Sequence, residues 1–160
     1  PPSSIARLHM DPLGPTPVTA NTALLGRLTD EAVDAFLARV GPGTEHSLLS
    51  AELRQLGGAL ARRHPDGGAL SRLDGRFLLF AAAIADTAEN EARGRMDAAQ
   101  LVRSLLPWST GRRYLNFAEA PVDVGDNYGE REWLTLTRVK SAYDPGNVFA
   151  ANHPVPPAQP

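Results

Sequence analysis

Cysteine is missing altogether from these 160 residues. Disulfides, thiolate nucleophiles, Cys-ligated zinc and iron–sulfur clusters are therefore excluded within the chain. Lysine is nearly missing too: Lys140 is the single one, and Arg supplies the other basic side chains. A net charge of −2 leaves no basic excess to hold a nucleic-acid backbone. No stretch reaches the roughly 20 apolar residues that a membrane helix requires. The most apolar run, FLLFAAAIA at 77–85, is too short. Neither nucleic acid nor a membrane is expected as a partner. The N-terminus has no charged region leading into an apolar core, so no secretory leader is visible, and a cytoplasmic location is the expectation. A start at Pro1-Pro2 without an initiator Met reads as that of a piece of something longer.

Chemical motifs are sparse. The four His, at 9, 46, 64 and 153, have no partner at the spacing of a metal site, so no metal is expected. No Gly-x-Ser-x-Gly elbow, phosphate-binding Gly-Lys loop or Gly-x-Gly-x-x-Gly occurs, which speaks against a serine hydrolase and a nucleotide fold.

What is present has a clear rhythm. SIARLHM (4–10) alternates as a strand does, and the Pro and Gly residues of DPLGPTP (11–17) follow it as a loop. Residues 28–43 read as a helix: Thr29 caps, Asp30 and Glu31 suit the positive end of the dipole, and Gly41-Pro42 stops it. Val33, Phe36, Leu37 and Val40 form its apolar stripe. Residues 46–58 alternate, with Leu49, Ala51 and Leu53 against Ser50, Glu52 and Arg54, as a half-buried strand does. RRHPDGG (62–68) is a turn. Residues 75–85 lack alternation and read as a strand covered on both faces, with a short buried helix as the alternative. Residues 86–108 are the longest helix, with Ala88, Ala92, Met96, Ala99, Val102 and Leu106 as its core stripe. RYLNF (113–117) is expected as a short strand. Residues 126–145 are expected as a helix with Asn127 and Glu130 in capping-box positions and Trp133, Leu136, Val139 and Tyr143 buried. The expected fold is α+β: an antiparallel sheet with helices covering one face, then a C-terminal strand–helix segment.

Two places carry polar groups in a pattern that chemistry can use. Ser50, Glu52 and Arg54 share one face of their strand. A solvent-facing strand with an ion pair explains them, and so does the wall of a cavity in which a carboxylate holds a polar substrate. In RYLNF, strand alternation would place Tyr114 and Asn116 side by side. Backbone partners inside a core explain that pair, and so does a ligand rich in carbonyl and ring-nitrogen groups.

The order of these phrases resembles the C-terminal part of the FAD-linked oxidases related to berberine bridge enzyme. LRQLGGALAR and DGRFLLFAAAIA are similar to two sheet strands of that family. YLNFAEAP resembles its Tyr-x-Asn-aromatic segment, and YGEREWLTLTRVKSAYDPGNVFAANHPV its closing helix, Asp-Pro-x-Asn-x-Phe turn and final run. The resemblance implies a partial substrate-binding domain over 1–107 and a segment over 108–160 that returns to an N-terminal FAD-binding domain. It implies FAD as cofactor, held mainly by that other domain or chain, and a small-molecule alcohol or amine as substrate. It assigns Tyr114 to catalysis beside the flavin, Tyr114, Asn116 and Asn152 to the cofactor, and Glu52 and Arg54 to the substrate. Two departures stand out: Phe117 replaces a second aromatic hydroxyl, and Ala near position 81 replaces a carboxylate or amide. Arg112 is the basic residue expected on the side of Tyr114. A non-catalytic binding module, or a subunit that joins a separate FAD-binding chain, is the alternative.

Overall fold

The run from Phe77 to Ile84 is apolar at every position and lies where such a run must lie, in the middle of a sheet. The computed structural model describes Ser4 and residues 14–158. Its elements are β1 (Val18–Leu25), α1 (Asp30–Val40), β2 (Leu48–Gln55), β3 (Phe77–Ile84), α2 (Ala88–Ser104) and α3 (Glu130–Tyr143). Among the described residues the strands make one three-stranded sheet in the order β1-β3-β2, antiparallel at both pairings. The α+β fold with an antiparallel sheet is as the sequence implied. The strand expected at 4–10 lies, apart from Ser4, outside the described residues.

One face of the sheet is closed by α1 and α2. Ala23, Leu25, Leu79 and Ala81 from the strands meet Ala32 of α1 and Ala98, Leu101, Val102 and Leu105 from α2 and its end in a single buried cluster. Thr29 caps α1 as expected, accepting from the amide of Ala32 at 3.3 Å. Thr87 caps α2 in the same way, accepting from Asn90 at 3.1 Å. The stripe of α2 differs from the expected one. Gly94, Ala98, Leu101 and Val102 are buried, whereas Met96 and Leu106 are exposed. The reason is steric: a Cβ at Gly94 would run into the Cβ of Ala83, so the helix crosses β3 at its glycine and its face is set there.

Strand β1 was not foreseen. Its sequence, VTANTALL, mixes small polar and small apolar residues and shows no bulky alternation. It is nonetheless almost wholly buried, and the hydroxyl of Thr22 finds the carbonyl of Leu79 at 2.8 Å. The outer edge of β1 is taken by residues 108–112: Gly26 donates to Trp108, Thr110 to Leu24, and Leu24 to Arg112, at 2.8–2.9 Å.

The C-terminal part departs further. Residues 115–117 form a 3-10 turn and not a strand. Helix α3 begins after Gly129, and Asn127 is a buried residue of the preceding turn, not its capping-box member. Of α3 only Thr137 is buried; Leu134, Val139 and Tyr143 are exposed. Among the described residues no helix is long and apolar enough to cross a membrane.

Candidate active site

The face of the sheet away from α1 and α2 carries the polar residues of β2. Strand alternation and register put Ser50, Glu52 and Arg54 opposite Ala82, Phe80 and Leu78 of β3. The side-by-side placement read from the sequence is thus found, with one local change. A bulge between Leu48 and Ser50 turns Leu48 inward against the core and leaves Leu49 exposed.

These three polar side chains are tied to each other. The Ser50 hydroxyl donates to Glu52 Oε1 at 3.0 Å, and Arg54 Nε donates to Glu52 Oε2 at 2.7 Å. The Arg54 guanidinium then lies 5.5 Å from the Phe80 ring centre and 5.3 Å from that of Phe117. Phe117 itself leans on Phe80 with ring centres 4.9 Å apart, and Tyr114 meets Phe117 edge-on at 5.1 Å. So the open face supports a row of three rings with a guanidinium alongside.

The 3-10 turn explains which residues meet. At three residues per turn, positions i and i+3 stand over one another. Tyr114 therefore shares a side with Phe117, and Asn116 is exposed. The strand reading had paired Tyr114 with Asn116 and sent Phe117 to the opposite face. The position taken for a lost carboxylate is corrected as well. Ala81 is fully buried in the cluster against α2, so a polar residue there would not reach the open face. Leu78, Phe80 and Ala82 are the β3 residues on that side.

The turn is held from several directions. The amide of Phe117 donates to the carbonyl of Tyr114 at 2.9 Å. Asn127 accepts from the Arg113 amide at 2.7 Å and donates to the Asp123 carbonyl at 3.0 Å. His153 Nε2 lies 3.0 Å from the carbonyl of Leu115. With a carbonyl as its partner, Nε2 is the donor. Its Nδ1 is buried and has no partner among the described residues. Asn127 and His153 were not singled out for this role, because both act on backbone groups of a distant segment and leave no spacing in the sequence.

Other expected partners are placed otherwise. Arg112 is engaged by Asp74 at 2.8 Å, and Asp74 also takes Arg72 at 2.8 Å. Asn152 is exposed, next to His153. The hydroxyl of Tyr114 and the amides of Asn116 and Asn152 have no hydrogen bond to the described residues. Each is left for solvent or for a ligand.

Two carboxylates brace the frame. Asp97 of α2 accepts the amide and hydroxyl of Ser47 at 2.8 and 2.6 Å. Burial works against its charge, but those two bonds prevail and its pKa is lowered. Asp144 sits in the turn after α3. It pairs with Lys140 and accepts from the amides of Val148 at 2.7 Å and Phe149 at 3.2 Å. The Lys140 bond first, then those two amides, hold its pKa below the ordinary carboxylate value against the cost of burial.

Residues 113–156 match the berberine and berberine-like family model. An FAD-linked oxidoreductase of Pyricularia oryzae is 40% identical over 47 residues, which are 29% of this chain and 9% of that protein. Among solved structures, the wild-type BBE-like 1 of Physcomitrella patens superposes with a TM-score of 0.76 at 16% identity, over 99% of this chain and 34% of the other. A chitooligosaccharide oxidase superposes at 0.70 and 22% identity, over 90% of this chain and 33% of the other. The fold is thus that of the berberine-bridge-enzyme-like proteins, and the chain spans about a third of those two solved proteins.

Proposed function

We propose, from a chain whose residues 113–156 match the berberine and berberine-like family model, that it forms the substrate side of an FAD-dependent oxidoreductase. The reaction is oxidation of an alcohol or amine carbon of a small molecule. The observation that carries this reading is the half-buried Tyr114, packed on Phe117 over the open sheet face with its hydroxyl unspent on the described residues.

A flavin, when bound, supplies the two-electron acceptor for hydride. The described residues fit that group in part. Tyr114, Asn116 and Asn152 have polar ends without partners among the described residues, and the orphan Nδ1 of His153 calls for a donor that those residues do not provide. Tyr114 takes or orients the proton of the substrate alcohol or amine. Phe117 fixes the ring of Tyr114, and Phe80 fixes Phe117. Glu52 and Arg54 line the wall on which the substrate rests. Asn116 and Asn152 donate to or accept from the cofactor.

The main hold on FAD belongs to a separate flavin-binding domain or chain. The exposed apolar side chains Val139 and Tyr143 near the end of α3, with Val148 and Phe149 of the turn that follows, support that arrangement, since they are available to another body of protein.

The test is anaerobic stopped-flow reduction of the flavin in the protein that combines this chain with its flavin-binding part. Tyr114→Phe is expected to slow reduction by about 10²–10⁴-fold, the usual worth of a positioned acid–base group, with FAD content unchanged. Equal rates would remove Tyr114 from catalysis. Asn116→Ala is expected to do the reverse, altering the flavin absorbance more than the rate.

A further inference from the structure

We propose that Arg54 is the anchor for an anionic group of the substrate, a carboxylate in the first instance, which makes it the specificity-determining residue of this face. The inference rests on the reading of that face as the substrate wall and narrows the substrate class.

Arg54 is held from more than one side. Its Nε is given to Glu52, which is itself fixed through Ser50. Its Cζ lies over the rings of Phe80 and Phe117, 5.5 and 5.3 Å from their centres. Both Nη groups remain, and neither has a partner among the described residues. The side chain is 37% exposed, so those groups are reachable.

Each of these facts acts on binding. The Glu52 bond and the two rings remove most of the rotational freedom that a free Arg would lose on capturing a ligand. Rings beside the guanidinium exclude water from it and strengthen the field at its edge. What is left is a pre-set fork of parallel N–H donors, the shape that matches two carboxylate oxygens. Glu52 already offsets the positive charge, so selection comes from paired hydrogen bonds more than from net charge. Arg112 and Arg95 offer a contrast. Each has a terminal nitrogen spent on a carboxylate, of Asp74 and Glu91 respectively.

Phe117 touches both Arg54 and Tyr114. A molecule anchored by its acid at Arg54 therefore extends along Phe117 toward the phenol. An acidic substrate with its oxidisable carbon a short distance from the carboxylate is the class that follows.

The experiment is a titration of the isotope-labelled chain with sodium benzoate and with benzamide, followed by NMR at the Arg54 Nε–H. Benzamide is nearly the same shape and lacks the charge. Benzoate is expected to shift that resonance and saturate at least about tenfold below benzamide, as charge-assisted paired bonds require. Arg54→Met is expected to abolish the preference. Arg54→Lys, which keeps the charge without the fork, is expected to lose most of it. Equal affinity of the two probes for the wild-type chain would overturn the proposal whether or not the variants fold, as would benzoate selection that survives Arg54→Met. Flavin reduction plays no part in this readout. A chain that selects benzoate yet belongs to a redox-inactive protein would sink the oxidoreductase reading alone.

Discussion

At the scale of single residues, the C-terminal turn shows how much a sequence phrase can reveal. Asp-Pro-Gly-Asn after an amphipathic run announces a helix end, and Asp144 does cap the turn, with Asn147 at a positive φ of 50°. The pH behaviour follows from the lowered pKa of Asp144. A depressed pKa in the folded state means that the unfolded chain binds the proton more readily. The stabilisation is therefore present above the ordinary carboxylate value, near ~3.9, and is lost as pH falls through the folded value. Asp144→Asn is expected to speed amide exchange at Val148 and Phe149 several-fold at pH 7. As the medium is acidified the two proteins should converge. A difference that persists at the acid end would show that the carboxylate charge is not what holds the turn. His153 was not legible in this way. Its partner is a backbone carbonyl 38 residues away, and no pattern in the sequence marks such a bond. His153→Ala should loosen the 115–117 turn and so disorder the Tyr114 ring, read as averaging of its aromatic NMR signals against those of Phe80.

At the scale of elements, the strands and helices that pack on the core were readable because burial imposes a period. The helices at 30–40 and 88–104 and the strands at 48–55 and 77–84 all fall inside the spans expected of them. Where burial imposes no period, the reading failed. β1 hides small residues on both faces, and the hydroxyl of its buried Thr22 is satisfied by a backbone carbonyl, so nothing alternates. RYLNF looked like a strand because aromatic residues have high β-propensity, yet its neighbours at 108–112 had already filled the edge of β1 and sent the chain across the face. In α2 the misplaced stripe came from treating Gly94 as a neutral position. It is the contact point with Ala83 of the central strand, whose backbone is pinned on both sides by β1 and β2. Gly94→Ala gains about 1 kcal/mol of helix propensity, but the added methyl meets a partner that cannot yield. Overpacking of that kind typically costs about 1–3 kcal/mol, so the net effect is expected to be destabilising. Urea denaturation would check it, with Met96→Ala at an exposed site as the near-neutral comparison. A higher midpoint for Gly94→Ala would mean that helix and sheet can move apart.

At the scale of the whole molecule, the two faces of the sheet are treated differently. One is shut by α1 and α2. The other is crossed by the 114–117 turn and carries the aromatic row with Arg54. Helix α3 contributes no residue to the buried cluster, although its sequence has the apolar stripe of a packed helix. The expectation that Val139 and Tyr143 are buried fails within this chain: they are 50% and 85% exposed. An amphipathic helix owes most of its stability to an apolar face that finds a partner; in α3 Trp133 and Leu136 are half-buried, while Val139 and Tyr143 toward its end are exposed together with Val148 and Phe149 of the turn that Asp144 holds. The conflict resolves if the partner is the flavin-binding body. Val139→Glu is then expected to leave the secondary structure and thermal unfolding of this chain nearly unchanged, because the site is already solvent-exposed and surface substitutions usually cost no more than about 0.5 kcal/mol. In the assembled flavoprotein the same change buries an unpaired carboxylate, which costs several kcal/mol, and the FAD content of the purified protein should fall sharply. Full retention of FAD with Glu at 139 would place the flavin-binding body elsewhere, and the apolar face of α3 would need another partner.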